Sequence, residues 1–136
     1  MKLSYTIEGG DFNNAGYASS EVKKILKQLG IDPKCIKSIV IALYEAEVNV
    51  VAHAYSGKID VEIFTNRIET RISDKGPGIA DIGLAMQEGY STASKKVREM
   101  GFGAGMGLPN MKRNTDTLNI NSVAREGTTV TMVNYF

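Results

Sequence analysis

An α+β two-layer sandwich, with a mixed and mostly antiparallel sheet and helices on one face, is the fold class that this sequence predicts. Three observations carry it. Two pairs of short alternating runs, within residues 59–72 and 118–133, read as antiparallel hairpins. Two longer runs with helical periodicity lie between residues 11 and 55. The chain has 136 residues, enough for one domain over 1–136 whose core needs no disulfide or metal.

Taken in order, Leu3, Tyr5 and Ile7 alternate with polar residues and predict a first strand, which Gly9 and Gly10 end. Asp11 or Asn13 would cap a first helix running to about residue 29. Its buried stripe would be Val22, Ile25, Leu26 and Leu29, with Gly30 in the position after the cap. Asp32 as N-cap and Pro33 as first helical residue start a second helix, which continues to about Tyr55 and stops at Ser56 and Gly57. Ile59, Val61 and Ile63, then Ile68, Thr70 and Ile72, form two strands around a turn at Thr65, Asn66 and Arg67. A glycine-rich stretch from Asp74 to Gly107 is interrupted by a short helix near 82–88, and 108–114 is again helical. The last hairpin, 118–123 with 128–133, turns at Arg125, Glu126 and Gly127. The connection from 80 to 102 has the length of functional lids or disordered loops.

Composition narrows the function. The sequence is 43% apolar and 23% charged with a net charge of +1, ordinary values that give no reason to expect nucleic acid. No apolar block is long enough for a signal peptide or a membrane span, so a cytoplasmic protein is expected. The single cysteine, Cys35, forms no internal disulfide and no cysteine-cluster metal site.

The second helix carries a polar stripe in an unusual place. Glu45, Asn49 and His53 follow at intervals of four and share one face. Ile41 and Ala52 flank that stripe on one side, Ala42 and Ala46 on the other, and the opposite face carries Ile39, Leu43, Val50 and Ala54. A helix apolar nearly all round is mostly buried, and a carboxylate or amide on it costs several kcal/mol unless it is paired or faces a polar cavity. A pocket-lining stripe is therefore expected rather than a solvated face, with His53 either part of the lining or only hydrogen-bonded at the pocket edge. Glu47 points away and is structural or exposed.

Two glycine motifs follow. Asp74-Lys75-Gly76-Pro77-Gly78-Ile79 comes directly after a strand. It is either a tight turn or a site where Asp74 accepts a hydrogen bond from a base amine and the glycines bring backbone close to a ring. Gly101-Phe102-Gly103-Ala104-Gly105-Met106-Gly107-Leu108 has glycine at every second position and then enters a helix, an arrangement that can cradle phosphates. Neither the P-loop, nor the dinucleotide fingerprint, nor the protein-kinase-fold signatures occur.

Together these stretches resemble the GHKL ATPase superfamily of gyrases and histidine kinases. Glu45-x-x-x-Asn49 matches its N box, Asp74-x-Gly76-x-Gly78 its G1 box and Gly103-x-Gly105-x-Gly107 its G2 box. Gly127-Thr128-Thr129 resembles the late element that supports the adenine pocket. Within the superfamily, Glu45-Ala46-x-x-Asn49-x-x-x-His53-Ala54-Tyr55 is similar to the N box of the anti-sigma regulatory serine/threonine kinases. Gly89-Tyr90-Ser91-Thr92 and Gly105-Met106-Gly107-Leu108-Pro109 look like the switch kinase of the stress-response module. The stretch 91–100, with Lys95, Lys96, Arg98 and Glu99, is longer and more charged than that kinase's lid.

The resemblance implies a Bergerat (histidine kinase-like ATPase) fold, Mg-ATP, and phosphorylation of a serine or threonine on an anti-anti-sigma (STAS-domain) partner. It implies that Asn49 ligates Mg2+, that Glu45 accepts the proton of the partner hydroxyl and that Asp74 selects adenine. His53, Gly76, Gly78, Ile79 and Thr128 would complete the nucleotide pocket, and Gly103, Gly105, Met106, Gly107 and Leu108 would wrap the phosphates. A sigma factor, a regulatory phosphatase and a second copy of the chain stay open as further partners. The alternative is a nucleotide-binding anti-sigma module with little kinase activity, in which Glu45 would matter little.

Overall fold

Period-two alternation builds the sheet. β1 (Lys2–Glu8), β2 (Ser56–Ile63), β3 (Arg67–Lys75), β4 (Thr117–Val123) and β5 (Gly127–Tyr135) run close to the expected bounds. The computed structural model describes residues 1–79, 82–87 and 107–136 and joins these strands in the order β1-β2-β3-β5-β4. All four described ladders are antiparallel. Their register aligns Tyr5, Ile59, Ile72, Val130 and Ile120 in one row across the sheet. A second row aligns Leu3, Val61, Thr70, Met132 and Leu118. Towards the end of the sheet the rows turn polar: Gly57 faces Asp74, and Ser122 faces Thr128. The other face of the sheet presents Lys58, Arg71, Asn119 and Asn121 as exposed residues.

The helical layer consists of α1 (Tyr17–Gln28), α2 (Pro33–His53), the short α3 (Ile82–Ala85) and α4 (Gly107–Arg113). α2 is the centre of the molecule and touches β1, β2, β3 and β5 as well as α1 and α4. It buries Ile36, Ile39, Ala42, Leu43, Ala46, Val48, Val50 and Val51. Each large apolar side chain among them contributes about 1.5–3 kcal/mol, so Leu43→Ala would cost roughly 2–5 kcal/mol. The start of α2 is as expected: the Asp32 side chain accepts from Lys34 N at 2.8 Å, with Pro33 following. Its end comes two residues early. Ala54 is already extended, and Tyr55 N donates to Lys75 O at 2.8 Å, which draws the chain into the sheet. Among the described residues no helix is long and apolar enough to cross a membrane.

α1 corrects the sequence-based expectation. Phe12–Asn14 is a single 3-10 turn, and α1 begins only at Tyr17, after Gly16 with φ 94°. Neither Asp11 nor Asn13 caps it; Asp11 instead accepts from Asn14 Nδ2 at 2.9 Å. The cap comes from α2. The Glu47 carboxylate accepts from Gly16 N (3.0 Å), Ala18 N (3.2 Å), Ser19 N (3.1 Å) and Ser19 Oγ (2.6 Å). The buried face of α1 is accordingly Ala18, Ser19, Val22 and Leu26; Ile25 is half-buried and Leu29 is exposed. The C-terminal end is as expected. Gly30 takes φ 73°, its N–H bonds Lys27 O, and Ile31 N bonds Leu26 O, which satisfies the last carbonyls.

Candidate functional site

The core places α2 so that its polar stripe lies beside α4 and the loop after β3. Glu45 and Asn49 are half-buried on α2, and His53 is half-buried in its last turn. Glu45 Oε1 accepts a hydrogen bond from Asn110 Nδ2 of α4 at 3.2 Å. Asn49 abuts the first residue of α4. A Cβ at Gly107 would stand 3.0 Å from Asn49 Oδ1 and 3.2 Å from its Nδ2, so a larger residue would press on this amide. Burial pushes the His53 imidazole below its ordinary pKa, which keeps it neutral at pH 7. Glu47, two residues beyond Glu45, is the structural carboxylate already described and is 3% exposed.

Near the end of α2, the last residues of β3 include Asp74. Its Oδ1 accepts from Thr128 N at 3.0 Å. Partial burial raises the Asp74 pKa, and the Thr128 N–H bond works against that rise. Gly57 lies across the ladder from Asp74, and a Cβ there would meet Val50 Cγ1 at 2.7 Å. Its lack of a side chain lets α2 come down onto the sheet next to this carboxylate. Gly76 sits between the two elements, its missing Cβ 3.0 Å from Ala54 Cα and 3.5 Å from Asp74 Oδ1.

The loop from Gly76 to Ile79 is fastened to the β4–β5 hairpin. Gly76 N donates to Glu126 O at 3.2 Å and Arg125 N donates to Pro77 O at 2.8 Å. Ile79 N donates to Ser122 Oγ at 2.7 Å, and that hydroxyl also pairs with Thr128 Oγ1 at 2.9 Å. Two glycines make the fit possible. Gly78 has φ 77°, and a Cβ on it would stand 2.6 Å from Val123 O. Gly127 has φ 149°, and its Cβ would collide with Asp74 O. Any side chain at either position would separate the loop from the hairpin that holds Asp74 in place.

The sequence-predicted groups are thus partly assembled. Glu45, Asn49, His53, Asp74, Gly76, Gly78, Ile79, Gly107 and Thr128 lie around the end of α2, the loop after β3 and the start of α4 and β5. The Leu108 side chain is in the core. Gly103, Gly105 and Met106, and the charged stretch with Lys95 and Arg98, lie outside the described residues. Sequence reasoning missed Ser122 and Asn110. Ser122 is signalled only by its register with Thr128, and Asn110 only by its place one turn into α4. Among the described residues, no group of three or more His, Cys, Asp or Glu could hold a metal ion. A cation here would take few protein ligands, such as the Asn49 side-chain oxygen, and fill its shell from a ligand and water.

Comparison with known proteins bears on the family and the fold. Residues 12–134 match the histidine kinase-like ATPase domain family. The chain is 32% identical over 117 residues to the serine/threonine-protein kinase RsbT of Bacillus subtilis (strain 168), covering 83% of this chain and 82% of that one. It is 33% identical over 127 residues to the anti-sigma F factor of Caldanaerobacter subterraneus subsp. tengcongensis, covering 90% of this chain and 85% of that one. Among solved structures, the RsbU and RsbW domains of Rv1364c from Mycobacterium tuberculosis superpose with a TM-score of 0.67 at 18% identity, over 98% of this chain. This chain spans 31% of that larger one. The mycobacterial sensor histidine kinase MprB superposes with a TM-score of 0.57 at 16% identity, over 98% of this chain and 97% of that one. At these identities the two structures speak for the fold alone.

Proposed function

The chain belongs to the histidine kinase-like ATPase family, and from that membership we propose that it is an ATP-dependent protein serine/threonine kinase acting as an anti-sigma regulatory factor. One observation carries the proposal: α2 sets a half-buried carboxylate, Glu45, one turn before the Asn49 amide, facing the start of α4. The kinase and anti-sigma factor names of the two relatives, each matched over most of its length, support the same class.

In this proposal the Asp74 carboxylate accepts a hydrogen bond from the adenine amine. Gly76, Gly78, Ile79 and Thr128 form the wall around the ring, and His53 borders it. Backbone N–H groups at Gly103, Gly105, Met106, Gly107 and Leu108 bracket the phosphates. Asn49 Oδ1 would hold Mg2+, which when bound neutralises phosphate charge and aligns the γ-phosphoryl group. Glu45 then acts on the protein partner. Its carboxylate accepts the proton of a serine or threonine hydroxyl as that oxygen bonds to the γ-phosphorus. The bond from phosphorus to the β–γ bridging oxygen breaks, and ADP leaves. The partner is proposed to be a STAS-domain anti-anti-sigma protein, met in the cytoplasm.

The experiment incubates the purified chain with Mg-ATP and a panel of STAS-domain proteins and maps phosphate by mass spectrometry. One STAS protein should gain phosphate on a serine or threonine. Asn49→Ala should lose both nucleotide affinity and transfer. Glu45→Ala should keep affinity and lose transfer by about 10²-fold or more. A chain that binds ATP and a STAS protein but transfers nothing is instead the nucleotide-binding anti-sigma module.

A further inference from the structure

Three buried neighbours fix the rotation of α4. Leu108, Pro109 and Met111 are all buried, and the half-buried residue between them reaches towards α2. That residue is Asn110, and its amide bridges two groups of opposite chemistry. Nδ2 donates to Glu45 Oε1 at 3.2 Å, and Oδ1 accepts from Arg113 Nη1 at 3.3 Å. A guanidinium can only donate and an ionised carboxylate can only accept, so the amide can be turned only one way. The Asn110 backbone is held as well: its carbonyl accepts from Asn114 N at 3.2 Å and from Asn114 Nδ2 at 2.8 Å. Among the described residues, no hydrogen bond reaches the second Glu45 oxygen, Oε2.

We propose that Asn110 is a positioning residue for Glu45: its amide, oriented by Arg113, holds Oε1 and leaves Oε2 directed at the partner hydroxyl. A carboxylate on a helix can occupy several rotamers, and proton transfer needs one of them. A single donor on the neighbouring helix selects that one. The same contact joins the base to the helix that begins at the Asn49-contacting Gly107, so the base and the amide are indexed to one element. This inference rests on the assignment of Glu45 as base.

The test compares Asn110→Ala, Asn110→Asp, Glu45→Ala and the double variant Glu45→Ala/Asn110→Ala. It measures ATP affinity and single-turnover transfer to the STAS protein found as above. Asn110→Asp keeps the shape of the side chain but sets a like charge against Glu45. Both Asn110 variants should transfer about tenfold or more slowly with ATP affinity nearly unchanged, and the double variant should be no slower than Glu45→Ala. In the 15N spectrum of the full chain, the Asn110 side-chain amide signals, assigned by their loss in Asn110→Ala, should shift in Glu45→Gln. A purely packing role predicts that Asn110→Asp restores wild-type transfer, and that result overturns the inference. Unmoved amide signals in Glu45→Gln overturn it too, even if no partner accepts phosphate. Wild-type transfer by Glu45→Ala would instead remove the base assignment. Slow Glu45→Ala with fast Asn110 variants would remove only the role of Asn110.

Discussion

Glu47 stands two residues from Glu45 on the same helix and serves a different purpose. Its two oxygens take up three backbone N–H groups and one hydroxyl at the start of α1. Glu47→Ala strands those donors in a buried place. A lost cap costs about 0.5–2 kcal/mol, and stranded buried donors add about 1–3 kcal/mol. The variant should therefore melt well below wild type, with Glu47→Gln falling between the two. An unchanged melting temperature in Glu47→Ala would show that the contact contributes nothing. Asp74 makes the opposite case. Its pKa is raised by burial, so the native state binds its proton more readily than the unfolded chain does. Ionised Asp74 thus weakens the fold at neutral pH, and the penalty disappears as pH falls through its raised folded pKa. Asp74→Asn keeps an oxygen for Thr128 N–H and should raise the melting temperature of the nucleotide-free chain at pH 7. The gap should close as the buffer is acidified into the carboxylate range. A gap that widens on acidification would reverse the sign assigned here.

Between elements, the loop after β3 depends on the β4–β5 hairpin as well as on its own glycines. Ser122→Ala removes the acceptor for Ile79 N–H and the partner of the Thr128 hydroxyl. Residues 76–79 should then exchange amide hydrogens faster, and ATP should bind more weakly, while the strands keep their protection. Unaltered exchange at Ile79 would mean that Ser122 is not what holds the loop. This dependence also marks where the sequence stops being legible. The five strands and α2 could be read because alternation and caps are local: Asp32 and Pro33 start α2 from adjacent positions. The start of α1 could not, since its cap lies 31 residues away from Gly16. Asn49 and Glu45 stood out because polar groups among apolar neighbours need a reason, and Asp74 because a glycine motif follows it directly after a strand. Ser122 and Asn110 did not, because a strand serine and a helix asparagine are unremarkable until register and helix packing set them against Ile79 and Glu45.

For the whole molecule, ligand and fold are linked through α2, which touches four of the five strands and both α1 and α4. A nucleotide that binds only the folded chain stabilises all of it, by about 2.7 kcal/mol at a hundredfold excess over its dissociation constant. Mg-ATP and Mg-ADP should therefore raise the melting temperature of the entire transition. Mg-GTP should do so poorly, because guanine presents a carbonyl where Asp74 needs a donor. Equal shifts with GTP would contradict the place given to Asp74. The cross-helix cap has a kinetic side as well. A helix capped by its own residues can fray and re-form alone, but α1 has its first turn closed by a side chain that exists in the right place only when α2 is folded. The two helices should then open and close as a single cooperative unit, with the amides of Ala18 and Ser19 exchanging through the same rare opening as those in the middle of α2.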